Sequence, residues 1–325
     1  MKKKGLCLAL VAMLLFTQSG AVVYAESINA SQEAINNIEK ITGTSEINAD
    51  IYEIEEDKII VDGTDAIIEI PYDADEELTI DDGEDRKVSM NLPAEVMDTE
   101  GILSDDGTVL YNCDESLSIG VQAIKEESDI ASEGVRTLIN IENNSAPKEY
   151  SFEYDLNEGE RLVSSKELLG DDYDTGEVFV VDAKNNILNI IDAPWAEDAN
   201  GNNIETYYKI DGQTLTQVIE FNEDTAFPVV ADPSFWQVTK CAGTILWVIG
   251  TTIFTAAKIV KLKKAIKAAG GVRKAAKGII VAIKASRGLG GKWWTKIKWS
   301  QFGSGLAGFG ADLIGISDIR SNCSF

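Results

Sequence analysis

Between residues 48 and 232 the chain runs in short strides of β-branched and aromatic residues, broken by acidic and glycine-bearing turns. Several of these runs place an apolar residue at every second position, as a half-buried antiparallel strand does. Strands are predicted at residues 50–54, 58–61, 66–70, 109–111, 117–121, 138–141, 150–154, 178–181, 187–191, 207–210 and 215–221. Asp62-Gly63, Asp82-Gly83, Asp106-Gly107, Asn200-Gly201 and Asp211-Gly212 supply turn dipeptides that tolerate positive φ. Many strands without long helices between them point to a mostly antiparallel sandwich or barrel of one or two lobes. The Ser145-Ala146-Pro147 break divides it into acidic β regions 48–146 and 147–232.

The pattern changes on both sides of this block. Upstream, residues 26–47 carry a loose helical spacing that predicts a short leader helix. Downstream, residues 241–257 contain no charge, and residues 258–268 are basic and amphipathic. At roughly 100° per residue, Ile259, Leu262, Ile266 and Ala269 share one sector, while Lys258, Lys261, Lys263, Lys264 and Lys267 take the rest. Gly270-Gly271 ends that segment. A second one then places Val272, Ala275, Ala276, Ile279, Ile280 and Ile283 opposite Arg273, Lys274, Lys277 and Lys284. A Lys/Trp stretch follows, with Trp293, Trp294 and Trp299, and then a glycine-spaced apolar segment over 302–316. Residues 233–325 are therefore expected to form a small all-α bundle, which makes the chain an α+β multidomain protein.

Lys2, Lys3 and Lys4, an uncharged run and a small-residue stretch ending at Ala25 have the layout of a signal peptide over residues 1–25, cleaved after Ala25. Export permits disulfides. Cys113, Cys241 and Cys323 would remain, enough for one bridge. A Cys241–Cys323 bridge would close the basic segment into a ring; three reduced, buried thiols are the alternative. The uncharged 241–257 run raises a second topology, a single membrane pass, because it reaches the lower limit of about 17 residues for a spanning helix. A Cys241–Cys323 bridge would contradict that pass.

Charge sharpens the division. Residues 26–232 hold 11 basic and 52 acidic side chains, a balance of −41; residues 233–325 hold 15 basic and two acidic, a balance of +13. The chain has no histidine, which excludes Ser-His-Asp triads, Cys-His pairs and His-ligated metals. No catalytic motif is present and no cofactor is expected. Asp171, Asp172 and Asp174 offer hard oxygen ligands as a weak Ca²⁺ candidate. Asp198-Ala199-Asn200-Gly201-Asn202 begins like an EF-hand loop but places its glycine wrongly and Lys209 at the position of the bidentate acid. Solvated turns are the favoured reading of both.

Residues 193–233 (APWAEDANGNNIETYYKIDGQTLTQVIEFNEDTAFPVVADP), followed by the tail motifs KKAIKAAGGVRKAAK and DLIGISDIRSNC, resemble a group of uncharacterised secreted proteins of Gram-positive bacteria. Those proteins join a similar β region to a Cys-bounded helical tail. The resemblance covers about 130 residues and implies export, a two-part architecture and the Cys241–Cys323 pairing; it brings no activity with it. In physical type alone, the tail is similar to helical bacteriocins.

The expectation is a secreted, non-enzymatic protein whose cationic tail engages an anionic membrane or cell-wall polymer and is masked by contact with the acidic β part. Lys261, Lys264, Lys267, Arg273, Lys274 and Lys277 would face the anion, and Trp293, Trp294 and Trp299 would anchor at the interface. Export argues against nucleic acid as a partner. The alternatives are an envelope-binding adhesion protein held by the tail and, more remotely, an envelope hydrolase using paired carboxylates.

Overall fold

The computed structural model describes residues 52–63, 66–81, 86–104, 107–125, 133–171, 174–237, 245, 264, 266 and 271–287. The signal segment, the leader helix, Cys241, Cys323 and the three tail tryptophans lie outside them.

The described residues form two antiparallel sheets. The first runs in the order β1 (Tyr52–Ile54), β2 (Lys58–Asp62), β3 (Ile67–Pro71), β4 (Leu78–Asp81), β5 (Lys87–Asn91), β10 (Glu149–Asp155), β16 (Thr214–Ile219), β15 (Thr206–Asp211). The second runs β11 (Arg161–Ser164), β12 (Val178–Val181), β13 (Ile187–Ile191), β18 (Ser234–Gln237), β9 (Glu133–Ile141), β8 (Leu117–Lys125), β7 (Val109–Asp114), β6 (Ile102–Leu103). A short β14 (Trp195–Glu197) pairs with β17 (Val229–Asp232), which also pairs with β9. Among the described residues, two α-helices, α1 (Ser165–Leu169) and α2 (Val272–Arg287), and a 3-10 turn over Ala94–Val96 accompany the strands.

All eleven predicted strands are present, and in several the alternation that marks them is the burial pattern itself. In β10, Tyr150, Phe152 and Tyr154 are buried while Glu149, Ser151, Glu153 and Asp155 face solvent. The same period puts Ile59, Ile68, Ile70, Leu78, Ile80, Val88 and Met90 into one core with Val109, Tyr111, Ile119, Val121, Ile139 and Val180 of the second sheet. That core draws strands from both sides of Pro147. The Tyr111 hydroxyl donates to the Pro71 carbonyl inside it, tying the two sheets by a buried polar contact.

The second sheet is buried on both faces. Leu110, Leu138, Phe179, Val181 and Ile190, which point away from the shared core, are also fully buried. Strand β12, Val178-Phe179-Val180-Val181, accordingly reads as a continuous apolar run, while β8 and β9 also bury polar side chains, Ser118, Gln122, Thr137 and Asn140.

Of the helical module expected over 233–325, α2 is the helix described. Its predicted apolar set, Val272, Ala275, Ala276, Ile279, Ile280 and Ile283, is completely buried, with Ala282 added to it. At its start the expectation fails: residues 234–237 are strand β18, held between β13 and β9, so the β body runs past the expected boundary at 232. Apart from Ile245, Lys264 and Ile266, each helical, the rest of the expected bundle lies outside the described residues.

Candidate functional site

The β body and the basic segment meet at Glu177. Glu177 stands immediately before β12, and its carbonyl accepts the Ser165 N–H at 2.8 Å, which fixes the backbone where β11 passes into α1. Its side chain is 2% exposed, and Oε1 accepts the N–H of Val272, 95 residues further along, at 2.7 Å. Val272 begins α2, so this N–H has no partner within the helix. A carboxylate there satisfies the orphan donor and meets the positive end of the helix dipole. Gly271 enters the helix at φ +115, and a Cβ at this position would run into Glu177 Oε1. Among the described residues the second carboxylate oxygen, Oε2, which is buried, has no hydrogen-bond partner.

A second buried carboxylate stands between the last two strands of the body. Asp232 ends β17, Pro233 follows, and Ser234 begins β18 opposite Arg136 of β9. Ser234 Oγ lies 2.9 Å from both carboxylate oxygens, Trp195 Nε1 donates to Oδ2 at 3.1 Å, and Arg136 Nε lies 3.4 Å from Oδ2. Burial pushes Asp232 up to about 6; Arg136, Ser234 and Trp195 pull it down and Asp192 pushes it further up. Loss of solvation outweighs the pairing.

Beside Glu177 lies a cavity of about 450 Å³, lined by Ser165, Thr175, Pro194, Tyr207 and Tyr208 among others. It opens where β15, at one end of the first sheet, comes close to β11, at one end of the second. Tyr208 lies on its wall, with a buried hydroxyl that has no hydrogen-bond partner. A second hollow of about 560 Å³ is rich in carboxylates, including Asp57, Asp73, Asp75, Glu76 and Glu77. Several are occupied locally: Asp75 accepts from Asp98 N at 2.8 Å, Glu77 from Ser89 at 2.7 Å, and Glu69 pairs with Lys58 at 3.3 Å.

No family model, curated protein or solved structure matches this chain.

The positions singled out in the sequence divide as follows. Lys264 is exposed and Lys277 half-buried, while Arg273 and Lys274 lie on α2. Lys261, Lys267, Trp293, Trp294 and Trp299 are outside the described residues. Asp171 and Asp174 come together around a cation already present: Lys166 Nζ lies 3.7 Å from the first and 3.6 Å from the second. Asp172 is outside the described residues, among which no cluster of three or more acidic or cysteine ligands is arranged to hold a metal. Asp198 is consumed by its own turn. It accepts from Asn200 N at 2.9 Å and Asn202 N at 2.8 Å, and these bonds, the Asn202 side chain's first, hold its carboxyl below the usual range. Cys113, on β7, is exposed. Among the described residues no helix is long and apolar enough to cross a membrane; the 241–257 run lies outside them except for Ile245, which is buried.

Glu177 itself went unmarked in the sequence. It closes the acidic run that begins at Asp171, where it is one carboxylate among many. A Gly-Gly pair opening an amphipathic helix with no Ser, Thr, Asp or Asn to cap it was the available signal, since such a helix must find its N-terminal acceptor elsewhere.

Proposed function

We propose that this is an exported, non-enzymatic protein whose acidic β body holds a basic, helical C-terminal segment in a masked state and yields it to an anionic membrane surface. The observation that carries this reading is the Glu177–Val272 contact: a buried carboxylate of the body serves as the N-terminal cap of the first described helix of the segment. A helix capped by a residue 95 positions away keeps that cap only while it stays docked.

Electrostatics act in the same direction. Segments of −41 and +13 joined in one chain attract each other, and salt weakens that attraction over a Debye length of about 8–10 Å. Once detached, a helix with Lys277 and Lys284 on its polar side and Ile279, Ile280 and Ile283 on the other suits the plane of a lipid headgroup layer. Closure of the segment by Cys241–Cys323 belongs to the same proposal, since a ring would preserve the module after release.

A protease site introduced between Gln237 and Cys241 of the full chain provides the test. Dye leakage from phosphatidylglycerol-containing vesicles is followed before and after cleavage, with neutral vesicles alongside. The intact chain should be silent, and the cleaved chain should release dye from the anionic vesicles, more strongly as salt weakens the hold of the body. A cleaved chain that stays silent on anionic lipid across the salt range, or an intact chain that is equally active, refutes the proposal.

A further inference from the structure

β15 is an unusual sheet edge. Edge strands offer a row of unpaired N–H and C=O groups, and proteins ordinarily keep them short or covered. The other sheet ends, β1, β6 and β11, have three, two and four residues; β15 has six. Its composition, Thr-Tyr-Tyr-Lys-Ile-Asp, favours strand and contains no proline.

The hydrogen-bond register shows which groups are open. Glu220 donates to the Glu205 carbonyl at 2.9 Å, which marks this as a hydrogen-bonded position of the ladder. Bonded and non-bonded positions alternate along an antiparallel ladder, so residues 207, 209 and 211 turn their backbone groups towards β16. Thr206, Tyr208 and Ile210 turn theirs away. The neighbouring ladder agrees: Ile219, opposite Thr206, sends its N–H to the Lys148 carbonyl on the far side at 2.8 Å. Among the described residues, nothing takes the outward N–H and C=O groups of Thr206, Tyr208 and Ile210.

Those same three residues line the cavity of about 450 Å³. The open edge and the cavity are therefore one feature, a strand-shaped rail beside a recess large enough for side chains. Two acidic residues, Asp174 and Glu177, line the recess, and no basic residue is among its described lining. Lys166 offsets Asp174 at 3.6 Å, whereas Glu177 has one carboxylate oxygen without a hydrogen-bond partner. A carboxylate set in a low-dielectric wall projects its field into the hollow beside it.

We propose that β15 docks an extended, basic segment of a partner polypeptide, which adds a strand to the first sheet and lays a lysine or arginine side chain into the recess near Glu177. Strand addition supplies affinity through the main chain, and the recess supplies selectivity for the side chain. Charge decides the occupant. A second copy pairing edge to edge would bring together two bodies of −41 each, whereas a basic strand is attracted. Glu177 serves this inference and tail masking alike, but docking at β15 needs no release of the tail, since Oε1 keeps the Val272 N–H while Glu177 lines the recess.

Panning a random linear heptapeptide library against the full chain identifies the probe, and hydrogen exchange with the enriched peptide locates it. The expected peptides alternate β-branched or aromatic residues with polar ones and carry Lys or Arg at one fixed register. Binding should slow exchange at the amides of Thr206, Tyr208 and Ile210. Ile210→Pro removes one outward N–H at an edge position that tolerates proline, and should weaken binding about tenfold. Glu177→Gln retains an acceptor for Val272 and should abolish the preference for Lys or Arg while keeping the alternating pattern. The proposal fails if no such peptide is enriched, if protection falls outside β15, or if Glu177→Gln leaves the basic preference intact. It also fails if the β15 amides are protected by concentration-dependent self-association, which would assign the edge to a second copy.

Discussion

Asp232→Asn removes one ionisation and little else. Asparagine has the same shape and keeps one oxygen to accept from Ser234 or Trp195. Burial raises Asp232 from 3.8 to about 6, a gap of roughly two pH units, and each unit corresponds to about 1.4 kcal/mol, so the pH-dependent contribution is about 3 kcal/mol. The unfolded chain releases this proton near pH 3.8, while the folded protein holds it until about pH 6. Stability from this group is therefore complete below the lower value, declines as pH rises through that window, and stays at its minimum above it. The charged groups around it, Arg136 at 3.4 Å and Asp192, act in opposite senses and leave burial dominant. Urea unfolding of both proteins at intervals between about pH 4 and pH 7 isolates the effect, because the other carboxylates are common to both and cancel in the difference. The parent should lose about 3 kcal/mol relative to the variant across the window. Any constant cost of leaving Arg136 without its anion displaces the two curves equally at every pH. A flat difference would refute the reasoning. So would a parent that gains on the variant as pH rises, because that sign belongs to a carboxylate for which pairing outweighs burial.

Three further outcomes follow from the same structure. Glu177→Ala leaves the Val272 N–H unpaired in the interior and should cost about 2 kcal/mol, read as faster exchange at the Val272 amide with the β-body amides unchanged. Gly271→Ala places a Cβ against Glu177 Oε1 at a positive φ; it should destabilise by about 1–3 kcal/mol in urea unfolding and raise dye release from anionic vesicles by the uncleaved chain. Phe152→Ala opens a cavity in the core shared by both sheets and should cost about 3–5 kcal/mol, with a single cooperative transition retained because both β regions share that core.

Much of the β architecture was legible because half-buried strands write their burial into the sequence. Tyr150-Ser151-Phe152-Glu153-Tyr154 and Ile59-Ile60-Val61 carry it openly. Strands β4 and β5 are less visible: Leu78–Asp81 follows directly on four acidic residues within 73–77, and Lys87–Asn91 mixes Ser and Asn with its two apolar anchors. β17 hides for another reason, being enclosed by Pro228 and Pro233, residues that ordinarily argue against a strand. The candidate site was harder still. Neither Glu177 nor Asp232 belongs to a local motif; each gains its role from a partner distant in the chain, Val272 for the first and Arg136 and Trp195 for the second. The acidic clusters that did stand out, around Asp171 and Asp198, use their carboxylates to hold Lys166 and their own backbone turn.

One strand governs the order in which the body can assemble. β9 pairs with β8 on one side and, on the other, with β17 and β18 end to end across Pro233, with Thr137 donating to the Pro233 carbonyl at 3.1 Å. The β8–β9 hairpin can zip as soon as it is made, but its second flank waits for residues 229–237, roughly 90–100 positions later in the chain, a separation that slows folding. Until then the longest strand pair among the described residues presents an unpaired edge, the kind of surface that self-associates. The last strand needed to cover it, β18, ends at Gln237, three residues before Lys240, the first cation of the basic segment. A chain emerging from its N-terminus therefore seals its β body just as the cationic part comes through, so the Glu177 cap exists before Val272 arrives to use it.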